Sequence, residues 1–152
     1  MNNKIILACV IVFSAIAFGF SSKPAEAVSF IPAKENGKCA ILPFKDAFAA
    51  STAVFSGKVK SEKKVGDTRI FEFEVEKYWK GAKKKKIKIS VYETARFQAW
   101  FEVGEKYLVF ATADDDGTLN VGRCSRSKNA VDASEDLQKL GKGKRPRYKL
   151  IF

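Results

Sequence analysis

Thr68-Arg69-Ile70-Phe71-Glu72-Phe73-Glu74-Val75-Glu76-Lys77-Tyr78-Trp79 is the stretch that decides the fold. Phe71, Phe73, Val75 and Lys77 alternate with glutamates at period two, the pattern of a strand with one apolar and one charged face. Upstream, Ala53-Val54-Phe55-Ser56-Gly57-Lys58-Val59-Lys60 is β-prone, with Gly57 marking a bulge or bend, and Lys63-Lys64-Val65-Gly66-Asp67 reads as the turn between the two. Downstream, Lys80-Gly81-Ala82 is a turn, and Ile87, Ile89 and Val91 share one face of a third strand entered through Lys83, Lys84, Lys85 and Lys86.

Thr94–Phe101 shows no clean periodicity. Lys106-Tyr107-Leu108-Val109-Phe110-Ala111 is a continuous β-prone run suited to burial on both faces. Asp114-Asp115-Asp116-Gly117 is a tight acidic turn into a short fifth strand, Thr118-Leu119-Asn120-Val121-Gly122. Two helices flank the strands. Pro43–Ala53 places Phe44, Ala47 and Phe48 at helical spacing and is expected to cover one end of the sheet. Asn129–Leu140 places Val131, Ser134, Leu137 and Leu140 on one side, with Gly141 as a stop. The expectation is a mainly β protein, a small closed five-stranded barrel with two flanking helices.

The ends of the chain carry a different signal. Ile5–Phe20 is almost wholly apolar, follows Met-Asn-Asn-Lys and precedes Ala25-Glu26-Ala27, which reads as a secretory signal peptide cleaved after Ala27. An uncleaved membrane anchor is the other reading of that run. Ile6-Leu7-Ala8-Cys9 resembles a lipid-attachment box but lies ahead of the apolar region instead of closing it, so Cys9 goes with the signal. The organisation expected is signal peptide 1–27, N-terminal arm 28–38, domain 39–141 and a basic, mobile tail 142–152. The exported chain of about 125 residues is large enough for a real core.

Of 152 residues none is histidine, which removes the usual general base and the commonest metal ligand. No catalytic residue, metal site or cofactor is assigned. In an exported chain Cys39 and Cys124 are expected to be a disulfide, closing a loop worth on the order of 4 to 5 kcal/mol in chain entropy. Asp114–Asp116 lacks the spacing of a calcium loop and reads as a solvated turn. Glu72, Glu74 and Glu76 form a carboxylate row that reads as the wet side of an antiparallel sheet.

The formal net charge is +11 at pH 7, so anionic partners are favoured. Two basic concentrations carry that charge: Lys83, Lys84, Lys85 and Lys86 in one, Lys142, Lys144, Arg145 and Arg147 in the other. Each is able to attract phosphates or sulfates. Tyr78 and Trp79 stand near the first and are candidates either for stacking on a ligand or for packing against the helices.

Four segments taken in order, Asp46–Val59, Phe73–Gly81, Phe101–Ala111 and Cys124–Ser127, resemble the TIMP-like, netrin-module family of secreted proteins over roughly Cys39 to Leu140. The resemblance implies an OB-fold barrel and a role in protein–protein contact instead of catalysis. Its best-known members inhibit metalloproteinases with an N-terminal Cys-x-Cys segment, whose terminal amine and carbonyl chelate the catalytic zinc. This chain has Gly37-Lys38-Cys39 there, and Phe97-Gln98-Ala99-Trp100 where the family carries Cys-Gly, consistent with loss of one whole disulfide and retention of Cys39–Cys124. Cleavage after Ala27 would also leave about ten residues ahead of the motif, so no cysteine amine is terminal. The expected partner is another protein, a metalloproteinase by resemblance only. The alternative is an anionic polysaccharide, nucleic acid or membrane surface met through the basic patches.

Overall fold

The hairpin quoted first organises everything else. The computed structural model describes residues 39–94 and 99–147, so the segment read as a signal peptide, the arm 28–38, Phe97 and Gln98, and the end of the tail lie outside the described residues. β1 (Ala53–Val65) and β2 (Thr68–Lys80) pair antiparallel from Val54↔Lys80 to Val65↔Thr68. The turn is therefore Gly66-Asp67 alone, and Lys63, Lys64 and Val65 belong to β1 instead of to a longer turn.

Phe71, Phe73 and Val75 are buried, as their spacing predicts. Lys77 does not join them. Between Ser56↔Lys77 and Gly57↔Val75 the β2 strand carries one extra residue, Glu76, and this bulge leaves both Glu76 and Lys77 exposed before Tyr78 turns back toward the core. Gly57 is required where the strands close up again, because a Cβ there would lie 2.6 Å from the Glu74 carbonyl oxygen.

β3 (Lys86–Tyr92) pairs antiparallel with β2, and β4 (Lys106–Ala113) pairs antiparallel with β1. β5 (Leu119–Asn120) joins β4 antiparallel and β3 parallel, so the order β1-β2-β3-β5-β4 returns to β1 as a ring of five strands. The last joint is thin. It consists of the pair Ser90↔Asn120, with Val121 N–H donating to the Ser90 carbonyl at 3.1 Å. β6 (Lys128–Asn129), not expected from sequence, adds to β4 at Tyr107 and Leu108.

Inside the ring Phe55, Phe71, Phe73, Ile89, Val91 and Val109 are fully buried. Phe101, from the stretch that showed no period, sits edge-on among Phe71, Phe73 and Tyr107 at centroid distances of 5.3, 5.2 and 4.9 Å. Such aromatic pairs add ~0.5–1.5 kcal/mol each beyond the area they bury. Val54, Leu108 and Phe110 face the other way, onto the helices. That is why the Lys106–Ala111 run is apolar at consecutive positions: Tyr107, Val109 and Ala111 fill the ring while Leu108 and Phe110 fill a second core outside it.

α1 (Phe44–Ala50) covers that outer core with Phe44, Ala47 and Phe48. Seven residues are too few for a self-sustaining helix. Its C-terminal carbonyls are held by Lys80, whose Nζ donates to Phe48 and Ala49 at 2.9 and 2.8 Å. The second helix is not continuous over Asn129–Leu140. A 3₁₀ turn, Ala130–Ala133, capped by the Asn129 side chain, precedes α2 (Ser134–Leu140). The tighter turn rotates the inward stripe to Ala133, Asp136, Leu137 and Leu140, leaving Ser134 exposed and Val131 84% exposed, contrary to the spacing read from sequence. Gly141 ends α2 as expected.

Candidate functional site

Two surfaces gather the residues singled out by sequence. The first is the corner at the disulfide. Cys39 and Cys124 are bonded, with Cα atoms 5.1 Å apart and 85 positions between them in sequence. From Cys39 the chain runs through Ala40, Ile41, Leu42 and Pro43 into α1, and these four are exposed, Ile41 to 57%. The strap is nonetheless held at both ends and at Leu42. The disulfide holds one end and α1 the other, while Arg126 Nη1 donates to the Leu42 carbonyl at 3.0 Å and its guanidinium lies 5.9 Å from the Phe44 ring centre.

Arg126 is itself clamped. Its Nε and Nη2 donate to both oxygens of Asp136 at 2.7–3.1 Å, and Lys128 approaches the same carboxylate at 3.0 Å. Asp136 is fully buried. Burial alone pushes its carboxyl up, yet the hydrogen bonds from Arg126 and Lys128 outweigh it and hold the group below the ordinary aspartate range. No periodicity pointed to Asp136 or Arg126. Asp136 stands off the stripe read from sequence and faces inward only because the 3₁₀ turn precedes α2.

The second surface is basic and lies along β2 and the turn that follows it. Lys85 and Lys86 are not free cations: Lys85 pairs with Glu74 at 3.1 Å and Lys86 with Glu72 at 2.9 Å. Lys60 also reaches Glu74, and Lys106 reaches Glu76 at 2.8 Å, so the carboxylate row is a set of cross-strand ion pairs on the outer face. The Lys85 hydrogen bond holds Glu74 below the ordinary glutamate range. Lys83 and Lys84 are exposed.

The tail, expected to be mobile from Lys142 on, is docked over its first residues. Tyr78 and Lys144 exchange two backbone hydrogen bonds of 2.8 Å, an antiparallel bridge on the edge of β2 beyond the start of β3. The Trp79 indole N–H donates to the Gly141 carbonyl at 3.0 Å, and Gly143 passes directly over the ring. Lys142, Lys144, Arg145 and Arg147 remain exposed. The structure therefore brings the two basic concentrations to one edge. It places Tyr78 against the ring core and Trp79 between the outer core and the tail.

Two further features were not anticipated. Glu93, 8% exposed, gathers Arg69 Nε at 3.1 Å, Lys64 Nζ at 3.2 Å and the Ala99 backbone N–H at 3.0 Å. The Ala99 N–H, then the two cations, lower its carboxyl from the ordinary 4.5 to about 2 against the opposing effect of burial. An open groove of about 690 Å³ runs along the β3–β5 joint, with Tyr92, Asp114, Asp116 and Asn120 among its lining residues. There Asp116 accepts from Thr118, and Asp114 accepts from the Asn120 amide at 2.6 Å, so the acidic turn is internally hydrogen-bonded.

Fold and surfaces together define a class: a mainly β protein built on a closed ring of five strands, stapled by one disulfide and carrying a fixed apolar strap and a basic edge. No family model and no curated protein matches the chain.

Proposed function

We propose that this chain is a secreted, non-enzymatic binding module whose ring is an OB-fold similar to that of the TIMP-like, netrin-module family, and whose partner is another protein. The strand order β1-β2-β3-β5-β4 closing on β1, with one thin parallel joint, supports the OB reading. The observation that carries the binding function is the strap Ala40-Ile41-Leu42-Pro43: apolar, exposed, and fixed by the disulfide, Arg126 and α1. A prefixed apolar segment loses little conformational entropy when a partner covers it.

By resemblance that partner is a metalloproteinase, contacted without the zinc-chelating amine. The sequence alone points to the arm before Cys39 and adjacent barrel loops for that contact, and the exposed strap after Cys39 supports extending it to Ala40–Pro43. A panel of metalloproteinases assayed with the purified chain tests this, alongside the Ile41→Asp/Leu42→Asp variant. Inhibition by the wild type that the variant lacks supports the reading, and a panel left wholly untouched removes the inhibitor option.

A second reading, adhesion to an anionic polymer or surface, is favoured by the meeting of Lys83–Lys86 with the docked tail. Such binding weakens steeply with salt, whereas a packed apolar interface does not.

A further inference from the structure

We propose that the docked tail and the β2–β3 turn act as one strip that binds a linear, phosphate-bearing polyanion, and that docking of the tail over Trp79 is what assembles the strip. This rests on the second reading above. On β2, Val75 donates its N–H to the Lys85 carbonyl at 2.7 Å, and three residues further on Tyr78 is bridged to Lys144. At about 3.3 Å per residue the two attachments are roughly 10 Å apart. Because the tail runs antiparallel to β2, Arg145 and Arg147 continue from Lys144 toward the Lys85 end. The cations thus form a line along one strand edge, matching the repeat of charge along an extended chain.

The local chemistry narrows the ligand. The large apolar side chains exposed among the described residues (Ile41, Leu42, Val65, Tyr92, Val103 and Val131) all lie outside this strip, so its described residues present no large apolar side chain to a bilayer. The aromatic pair beside the lysines is already committed, Tyr78 to the ring core and Trp79 to Gly141 and Gly143. Among the described residues of the strip bases find no stacking platform, and we take the strip to read phosphate spacing without reading sequence. Lysines act as point charges on such a chain, and the arginines add bidentate contacts.

Gly143 makes the assembly step separable from the charge. A Cβ at this position would stand 2.9 Å from Trp79 Cε2, so Gly143→Val lifts the tail without removing a cation. The experiment measures binding of linear polyphosphate, single-stranded homopolymeric DNA and anionic phospholipid vesicles to the full chain and to Gly143→Val across a salt series. Amide exchange at Tyr78 and Lys144 is followed in parallel. Counting the six exposed cations outside the Glu72 and Glu74 ion pairs (Lys83, Lys84, Lys142, Lys144, Arg145 and Arg147), the slope of log K against log salt is expected near −4 for a single-stranded polyanion. Polyphosphate and DNA are expected to bind alike whatever the base, and vesicles more weakly.

Gly143→Val is expected to bind at least fivefold more weakly, with a shallower slope and faster exchange at both amides. Polyphosphate added to the wild type is expected to slow that exchange. Wild-type binding that leaves both amides unchanged, or that is equally tight in a Gly143→Val protein with undocked tail, overturns the assembled strip while leaving anionic binding standing. Tighter binding to vesicles than to either polymer overturns the linear ligand. No binding to any of the three probes sinks the second reading itself.

Discussion

Glu93 and Asp136 are both carboxylates with little or no exposure, both are held by two cations, and both sit below their ordinary pKa range, yet they do different work. Glu93 closes one end of the ring. It sits where Lys64 and Arg69 extend the inward faces of β1 and β2 past the last core residue, and it also takes a backbone N–H from Ala99. Asp136 lies beneath α2 and is satisfied by side chains, through which it steadies Arg126 and so the strap carrying the proposed contact. One carboxylate finishes a core. The other transmits a helix position to a surface.

The sharpest way to break this comparison is Asp136→Ala, which leaves Arg126 and Lys128 half-enclosed without a counter-charge. Urea unfolding should show a loss of about 3 kcal/mol, the low end of the range for a broken buried pair because Arg126 keeps some solvent contact. Next in size is Arg126→Lys. It keeps the charge but gives up the two-pronged contact and the bond to the Leu42 carbonyl, at an expected cost of ~1–2 kcal/mol. Amide exchange in the strap should quicken in both variants.

Acid tests the other member. Glu93 has a folded value below its unfolded one, so the stability it contributes is present above about pH 4.5 and is lost as pH falls toward 2. Glu93→Gln should therefore flatten the fall in thermal midpoint across that window, and an unchanged acid profile would count against the ion cluster. The smallest effect is expected from Arg69→Lys, because Glu93 keeps both Lys64 and the Ala99 N–H; its midpoint at pH 7 should stay close to wild type. As the two clusters share no partner, midpoint shifts of Glu93→Gln and Asp136→Ala should add in the double variant.

The inward faces of the strands were legible because period two is local: Phe71, Phe73 and Val75, or Ile87, Ile89 and Val91, announce themselves within a few positions. The exposure of Lys77 was not, since the bulge at Glu76 is created by what β1 places opposite, twenty residues earlier in the chain. Asp136 was hidden for a similar reason. A charge off the apolar stripe read from sequence looks solvated until the 3₁₀ turn brings it inward and β6 and the loop before it bring Arg126 and Lys128 onto it.

Of the candidate site, the cations were identified one by one, but their meeting depends on Tyr78 pairing with Lys144, a contact between residues far apart in sequence. The one local hint was Gly143, a residue without a side chain set inside a run of long ones. Neither the strap nor its fixation was visible, because Ile41 and Leu42 look like any short apolar segment until Arg126 is seen holding the carbonyl between them and α1.

The bond between Cys39 and Cys124 brackets β1 through β5. A protein so lysine-rich offers a trypsin-like enzyme many places to cut, several of them in the exposed turn after β2. A single cut there releases nothing: both pieces stay joined through the sulfurs, and the strands on either side keep their neighbours. Such a molecule runs as one band until it is reduced and as two afterwards, and it is still able to present its strap and its basic edge after its backbone has been severed.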